Sequence, residues 1–172
     1  MIELERTFLL KRIPDGLLKC KSMEISDLFI PKGSRHPVIR IRKNGDSLEM
    51  TKKSPLASND SSRQNEQTII LSKEEYDALM KLEGKGFRKI RYYYNFNGRE
   101  AQIDVYQDAL KGLMIADFEF DSEEEKNSFE MPGFCLSDVT QEEFLAGGML
   151  CGKRYSDIEQ KLKEFGYEKL FF

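Results

Sequence analysis

Ile2-Glu3-Leu4-Glu5-Arg6-Thr7-Phe8-Leu9 reads as a β-strand, and its alternation decides how the rest of the chain must be arranged. Strand side chains point to opposite faces with period two, so Glu3, Glu5 and Thr7 share one face while Ile2, Leu4, Arg6 and Phe8 share the other. Adjacent carboxylates on one sheet face raise each other's proton affinity. A chain that places them there is expected to offer a cation for them to hold.

Working outward, the same two-faced pattern recurs. Val38 to Lys43 sets Val38, Arg40 and Arg42 against Ile39 and Ile41, and Asn44-Gly45-Asp46 supplies the positive φ of a tight hairpin. Leu48 to Lys53 returns with Glu49, Thr51 and Lys53 on one face, and Glu66 to Leu71 follows with Glu66 and Thr68 together. Phe87 to Phe96 sets Lys89, Arg91, Tyr93 and Asn95 on one face and turns at Asn97-Gly98. Arg99 to Tyr106 carries Glu100, Gln102, Asp104 and Tyr106 opposite Ala101, Ile103 and Val105, and Leu113 to Phe120 carries Leu113, Ile115, Asp117 and Glu119 opposite Met114, Ala116, Phe118 and Phe120. Between the first strand and Val38 the pattern is weaker: Pro14-Asp15-Gly16 is a turn, a strand through about Glu24 is one reading of the next stretch, and Pro31 to Pro37 is a loop holding His36. Residues 54–62, Ser-Pro-Leu-Ala-Ser-Asn-Asp-Ser-Ser, read as a polar loop expected to be disordered.

Four Ser/Thr-x-x-Glu pairs match the helix capping box: Ser72 with Glu75, Ser122 with Glu125, Thr140 with Glu143, and Ser156 with Glu159. The first helix is expected to run to about Glu83 before Gly84. The last, at about residues 156–166, should bury Ile158, Leu162 and Phe165 before Gly166.

With 172 residues the chain fits one domain spanning 1–172. Charged residues make up 33% yet the net charge is only −3, which excludes a protein held to nucleic acid by bulk charge. Cys20, Cys135 and Cys151 are odd in number and lack metal-type spacing, so reduced thiols are expected. Acids stand at the N-terminus where a secretory signal would be basic and then apolar, and no apolar run is long enough to span a bilayer. A cytoplasmic protein with no membrane partner is expected.

An ordinary antiparallel sheet also alternates, with its polar face in water. Here, however, arginines pair with arginines (Arg40, Arg42) and acids with acids (Glu3 with Glu5, Asp117 with Glu119). A sheet curled so that charged faces point inward and apolar faces meet outer helices satisfies both halves of the pattern. Its interior would set guanidinium and ammonium groups suited to phosphate oxygens beside carboxylates suited to Mg²⁺ or Mn²⁺.

These residues resemble a known family. Glu3-Leu4-Glu5-Arg6-Thr7-Phe8 is similar to the opening Glu-x-Glu-x-Lys signature of the CYTH superfamily, the triphosphate tunnel metalloenzymes, which includes inorganic triphosphatases, thiamine triphosphatases and class IV adenylate cyclases. Arg40-Ile41-Arg42, Thr51-Lys52-Lys53, Lys89-Ile90-Arg91-Tyr92, Ile103-Asp104-Val105, Asp117-Phe118-Glu119-Phe120 and Asp138-Val139-Thr140 follow in the family's order over roughly the first 150 residues. The resemblance implies an α+β fold built on an eight-stranded antiparallel β-barrel, a tunnel with a charged interior covered outside by helices, that takes a triphosphate end-on. It implies Glu3, Glu5, Glu66, Asp104, Asp117 and Glu119 as metal-side carboxylates for Mg²⁺ or Mn²⁺, and Arg40, Arg42, Lys53, Lys89 and Arg91 as phosphate ligands. Glu5, Glu119 and Lys89 are the expected catalytic groups.

Two departures stand out. Thr7 occupies the place of the signature lysine, which removes a charge-assisted contact worth on the order of 1.5–3 kcal/mol unless Lys11 or Lys53 compensates. Asp117 is one methylene shorter than the family's usual glutamate. The expected reaction is metal-dependent hydrolysis of inorganic triphosphate or a related small triphosphate, by a monomer or homodimer. An ATP-cyclising enzyme would also need a base pocket, which the sequence does not display, and a silent polyphosphate or nucleotide binder is the remaining alternative. Gly147 to Lys153 fits a P-loop core, but Arg154 replaces the metal-binding hydroxyl and a helix precedes it, so turn packing is the reading. Tyr92, Tyr93 and Tyr94 point alternately and read as packing groups before a stacking platform for nucleic acid.

Overall fold

Nine antiparallel strands form one sheet in the order β5-β4-β3-β2-β6-β7-β8-β1-β9, and β1 also pairs with β5, which closes eight of them into a barrel. This computed structural model describes residues 2–57 and 60–172. The strands are β1 (Ile2–Leu10), β2 (Ser22–Ile30), β3 (Ile39–Asn44), β4 (Ser47–Ala57), β5 (Asp60–Ile70), β6 (Lys85–Phe96), β7 (Arg99–Tyr106), β8 (Met114–Phe120) and β9 (Cys135–Asp138). β1 uses one edge twice. Ile2, Glu3 and Leu4 pair with β5, then Phe8, Leu9 and Leu10 pair with β9, so the short ninth strand fills the seam where β5 has parted from β1.

The hairpins lie where turn chemistry puts them. Gly45 (φ 58°) turns β3 into β4, and Asn97 (52°) with Gly98 (87°) turns β6 into β7, both with the positive φ that two-residue connections require. Elsewhere local reading gives way to pairing. The stretch read weakly as a strand to Glu24 is instead a 3₁₀ turn at Leu17–Lys19 followed by β2. Residues 54–57 and 60–62, expected as disordered loop, continue β4 and β5 as paired strand, with Ser54 opposite Asn65 and Ala57 opposite Asp60. Ser58 and Asn59 of that stretch lie outside the described residues.

Among the described residues there are four α-helices: α1 (Lys73–Leu79), α2 (Glu123–Ser128), α3 (Gly147–Leu150) and α4 (Tyr155–Glu164). Ser72 and Glu75 form a full capping box, and Ser122 accepts the Glu125 N–H at 3.2 Å. The other two expected boxes are not formed. Thr140 is taken by the barrel seam instead: its hydroxyl accepts the Thr7 N–H and donates to Asp138. α4 begins one residue before Ser156, and Asp157 accepts the Arg154 N–H at 2.7 Å. Ile158 and Leu162 are buried as expected, with Phe165 packed beside them and Gly166 at φ 73°.

Two apolar clusters fix the barrel. The first coats its outside: Phe8, Ile103, Ala116 and Phe118 meet Leu17, Phe134 and Leu170 from irregular segments, while α2 packs against β1 and β8 and α1 against β4. The second fills one end of the bore. Leu9, Tyr106, Leu113 and Ile115 share strand faces with Glu5, Asp104 and Asp117, yet they pack with Phe144, Leu145, Leu150, Ile158 and Leu162 of the C-terminal segment. Phe29, Phe87 and Tyr106 join them through ring contacts at 5.8 and 5.2 Å. The expected charged interior is thus closed at one end by an apolar floor. Gly147 sits where an added Cβ would lie 2.9 Å from the Phe29 ring, which shows that the P-loop-like stretch serves this packing. Tyr92 and Tyr94 pack outward, Tyr94 against Phe134. Among the described residues no helix is long and apolar enough to cross a membrane.

Candidate active site

Above the floor the inner wall is ionic, and the strand registers set who meets whom. Thr7 stands opposite Asp117, Glu5 opposite Glu119, Arg91 opposite Asp104, Asp27 opposite Arg42, and Lys53 opposite Glu66. All of the residues expected to form the site face this bore.

The cationic wall is held by carboxylates within it. Asp104 is 1% exposed at its side chain; Lys89 donates to it, and Arg91 donates to both of its oxygens at 2.7 Å. Burial pushes its carboxyl up, but Arg91 and Lys89 overcome this and hold it well below the usual range. Asp104, expected among metal ligands, thus has both oxygens committed to cations. The same burial depresses the Lys89 ammonium, which Asp104 only partly offsets against Arg91 and Arg42, to a pKa of about 8.

Arg42 is gripped in the same way by Asp27, with its Nε and an outer nitrogen donating at 2.6 and 2.7 Å to a side chain that is 0% exposed. Sequence reading missed Asp27. The signal was present, since Met23, Ile25, Asp27 and Phe29 alternate on one face, but the preceding Leu17 to Lys21 obscured where the strand began. Two parallel charge-assisted bonds fix the guanidinium plane. Removing one partner of a buried pair strands the other charge at a cost of about 3–5 kcal/mol. Asp27→Ala should therefore lower the melting temperature by about 10 °C, measured calorimetrically without ligand; a shift under about 3 °C would show that the pair does not anchor the wall.

Arg40 differs from these. Its Nε is buried and, among the described residues, has no hydrogen-bond partner. Burial, then the neighbouring Arg42, lowers its pKa. An orphaned buried N–H on a guanidinium calls for an anionic acceptor.

The acidic wall is formed by Glu3 and Glu5 on β1, Asp117 and Glu119 on β8, and Glu66 on β5. Burial raises the Glu5 carboxyl, Lys53 opposes this, and Asp117, Glu3 and Glu119 add to it, giving a pKa of about 7. Asp117 is raised by burial and by Asp104, and accepts the Thr7 hydroxyl at 2.8 Å. Glu119, raised by burial and by Glu3, accepts the Gln102 amide at 2.9 Å. Lys53 reaches across from β4: it donates to Glu3, lies 3.1 Å from Glu66 and stands 3.8 Å from Glu5. Its ammonium lies within the acidic wall, whereas Lys11, the other lysine expected to compensate for Thr7, is exposed.

Arg40, Arg42, Lys53, Lys89 and Arg91 thus share the inner wall with carboxyls that include Glu3, Glu5, Asp27, Glu49, Glu66, Asp104, Asp117 and Glu119. Among the described residues no three acids are arranged as a metal-ligand set; Lys53, Thr7 and Gln102 engage them. The all-oxygen donor set nevertheless suits a hard divalent ion.

No family model matches the chain. It is 31% identical over 144 residues to the inorganic triphosphatase of Nitrosomonas europaea, covering 83% of this chain and 91% of that protein. The crystal structure of an inorganic triphosphatase superposes with a TM-score of 0.62 at 25% identity, over 86% of this chain and 93% of its own. A protein from Pyrococcus horikoshii shares the fold at a TM-score of 0.52 and 17% identity, over 73% and 83% of the two chains. With the expected motifs in order on the inner wall of a closed barrel, the chain belongs to the CYTH superfamily, the triphosphate tunnel metalloenzymes.

Proposed function

We propose that this protein hydrolyses inorganic triphosphate to diphosphate and orthophosphate with the help of Mg²⁺ or Mn²⁺. The observation that carries this reading is the orphaned Arg40 Nε, set among cations already fixed by Asp27 and Asp104. The inorganic triphosphatase among its relatives supports the same substrate class.

The apolar floor leaves the acidic rim as the way in, so the anion enters end-on. Arg40, Arg42, Lys53 and Arg91 bind its oxygens and neutralise charge as it develops on the bridging oxygen. Asp27 and Asp104 keep Arg42 and Arg91 in the geometry that receives the anion, which lowers the ordering cost at binding. Lys89, charged below about pH 8, hands its proton to the departing diphosphate oxygen as the terminal P–O bond breaks. Glu5 and Glu119 orient the attacking water, and one of the two accepts its proton. Glu3, Glu5, Glu66, Asp117 and Glu119 would hold the divalent ion, which when bound supplies Lewis-acid polarisation of the phosphoryl oxygens.

A phosphate-release panel tests this: inorganic triphosphate, thiamine triphosphate, ATP and longer polyphosphates, each with Mg²⁺, Mn²⁺ or chelator. The expected result is fastest release from inorganic triphosphate and none with chelator. Cyclic AMP formation from ATP with inorganic triphosphate untouched, or binding without any release, would overturn the assignment.

A further inference from the structure

Lys53 stands among three acids at once, Glu3, Glu5 and Glu66, all of them expected to hold metal. Its ammonium bonds Glu3 and Glu66 and stands 3.8 Å from Glu5, so carboxylates from two strands surround one positive charge. The other paired cations are each fixed by a buried aspartate: Arg42 by Asp27, Lys89 and Arg91 by Asp104, with Arg91 also 3.9 Å from Asp117. Lys53 is also placed to leave. It stands beside Glu66 on β5, while Arg40 of β3 pairs with Thr51, two residues along Lys53's own strand and on the same face. A flexible four-carbon stem with a compact charge can turn from the acids toward an anion bound at Arg40.

We infer that Lys53 is a built-in stand-in for the divalent ion: its ammonium occupies the acidic wall in the free protein, is displaced when metal binds, and turns to the phosphate chain. This deepens the proposed function and rests on its reading of the acidic wall. An ammonium and a divalent ion cannot take the same carboxylate oxygens, so Lys53 lowers the affinity of the free protein for metal. An anion that draws Lys53 aside raises that affinity, and by linkage metal raises the affinity for the anion by the same factor. The device offsets one of the acids' charges when substrate is absent and makes metal and triphosphate enter together.

The experiment is calorimetric titration of the substrate-free protein with Mn²⁺ alone at pH 8, on wild type, K53M, K53R and R40M. K53M should bind Mn²⁺ at least about tenfold tighter than wild type, while K53R stays within about threefold of it. R40M removes an equal charge from the bore without touching the acids and should tighten binding far less than K53M. Should K53M fail to fold, K53Q serves in its place. Unchanged or weaker Mn²⁺ binding in K53M, or equal tightening in R40M, overturns the inference while the metal-site reading stands. Wild type and variants that all fail to bind Mn²⁺ overturn both.

Discussion

Glu5→Gln should lower metal-dependent triphosphate turnover by about a thousandfold while making the metal-free protein more stable. The catalytic loss follows from position. Glu5 stands opposite Glu119 across β1 and β8 and on the same strand face as Glu3, so it is the central carboxylate of the acidic wall. Glutamine keeps the shape and removes the charge, and the loss of one charge-stabilising group at a phosphoryl-transfer site costs on the order of 10²–10³ or more. The stability gain follows from the raised pKa. A carboxyl near 7 in the folded protein and 4.5 when unfolded binds more protons folded than unfolded between those values, so stability falls as pH rises from 4.5 through 7. At pH 8 the folded state carries nearly the full penalty of ionised Glu5, on the order of 3 kcal/mol, and glutamine removes it. Calorimetric melting at pH 8 without metal should therefore give a melting temperature several degrees above wild type, and the difference should shrink toward pH 5. Turnover within tenfold of wild type, or a variant that melts lower at pH 8, would end the assignment of Glu5 as a carboxylate strained by its neighbours for the sake of catalysis.

That wall was legible in the sequence because strand alternation is a strict geometric rule and the buried face was written in charge. Glu3 and Glu5, Arg40 and Arg42, Lys89 and Arg91, Asp117 and Glu119 needed only period two to be placed together. What period two cannot give is depth along the bore. Leu9 and Ile115 share faces with Glu5 and Asp117, and only the stagger of the strands and the packing of α3 and α4 reveal that they form a floor. Partner choice was equally hidden. Asp104 reads as a metal ligand by motif, but its Arg91 and Lys89 partners come from a different strand, and nothing in its local sequence says which charge arrives first. The capping patterns show the same limit from the other side. Ser72 caps a helix because nothing competes for its hydroxyl, whereas Thr140 is claimed by the seam through Thr7 and Asp138. The polar stretch at 54–62 reads as loop by composition, yet cross-strand pairing with β5 keeps most of it extended.

Lys89→Met should reduce turnover by roughly 10²–10⁴-fold, the usual contribution of a positioned general acid, and the pH profile carries the sharper test. Lys89 lies over Phe87 and Tyr106 on the apolar floor, with ring centroids 5.9 and 5.6 Å from its nitrogen, and it donates to Asp104. Burial is what depresses its pKa to about 8. The protonated fraction therefore falls as pH rises through 8, and kcat/KM of the wild type, which reports the free enzyme, should fall with it. A bound triphosphate favours the ammonium, so the corresponding limb in kcat should move to higher pH. Lys89→Arg separates proton donation from charge alone, because guanidinium stays protonated throughout. It should lose the alkaline limb near 8 and remain slow, since it cannot release a proton to the departing diphosphate. An arginine variant as fast as wild type would reduce Lys89 to a positive charge at the bottom of the bore. A wild-type kcat/KM that stays level to pH 9.5 would mean that the group titrating near 8 takes no part in the rate.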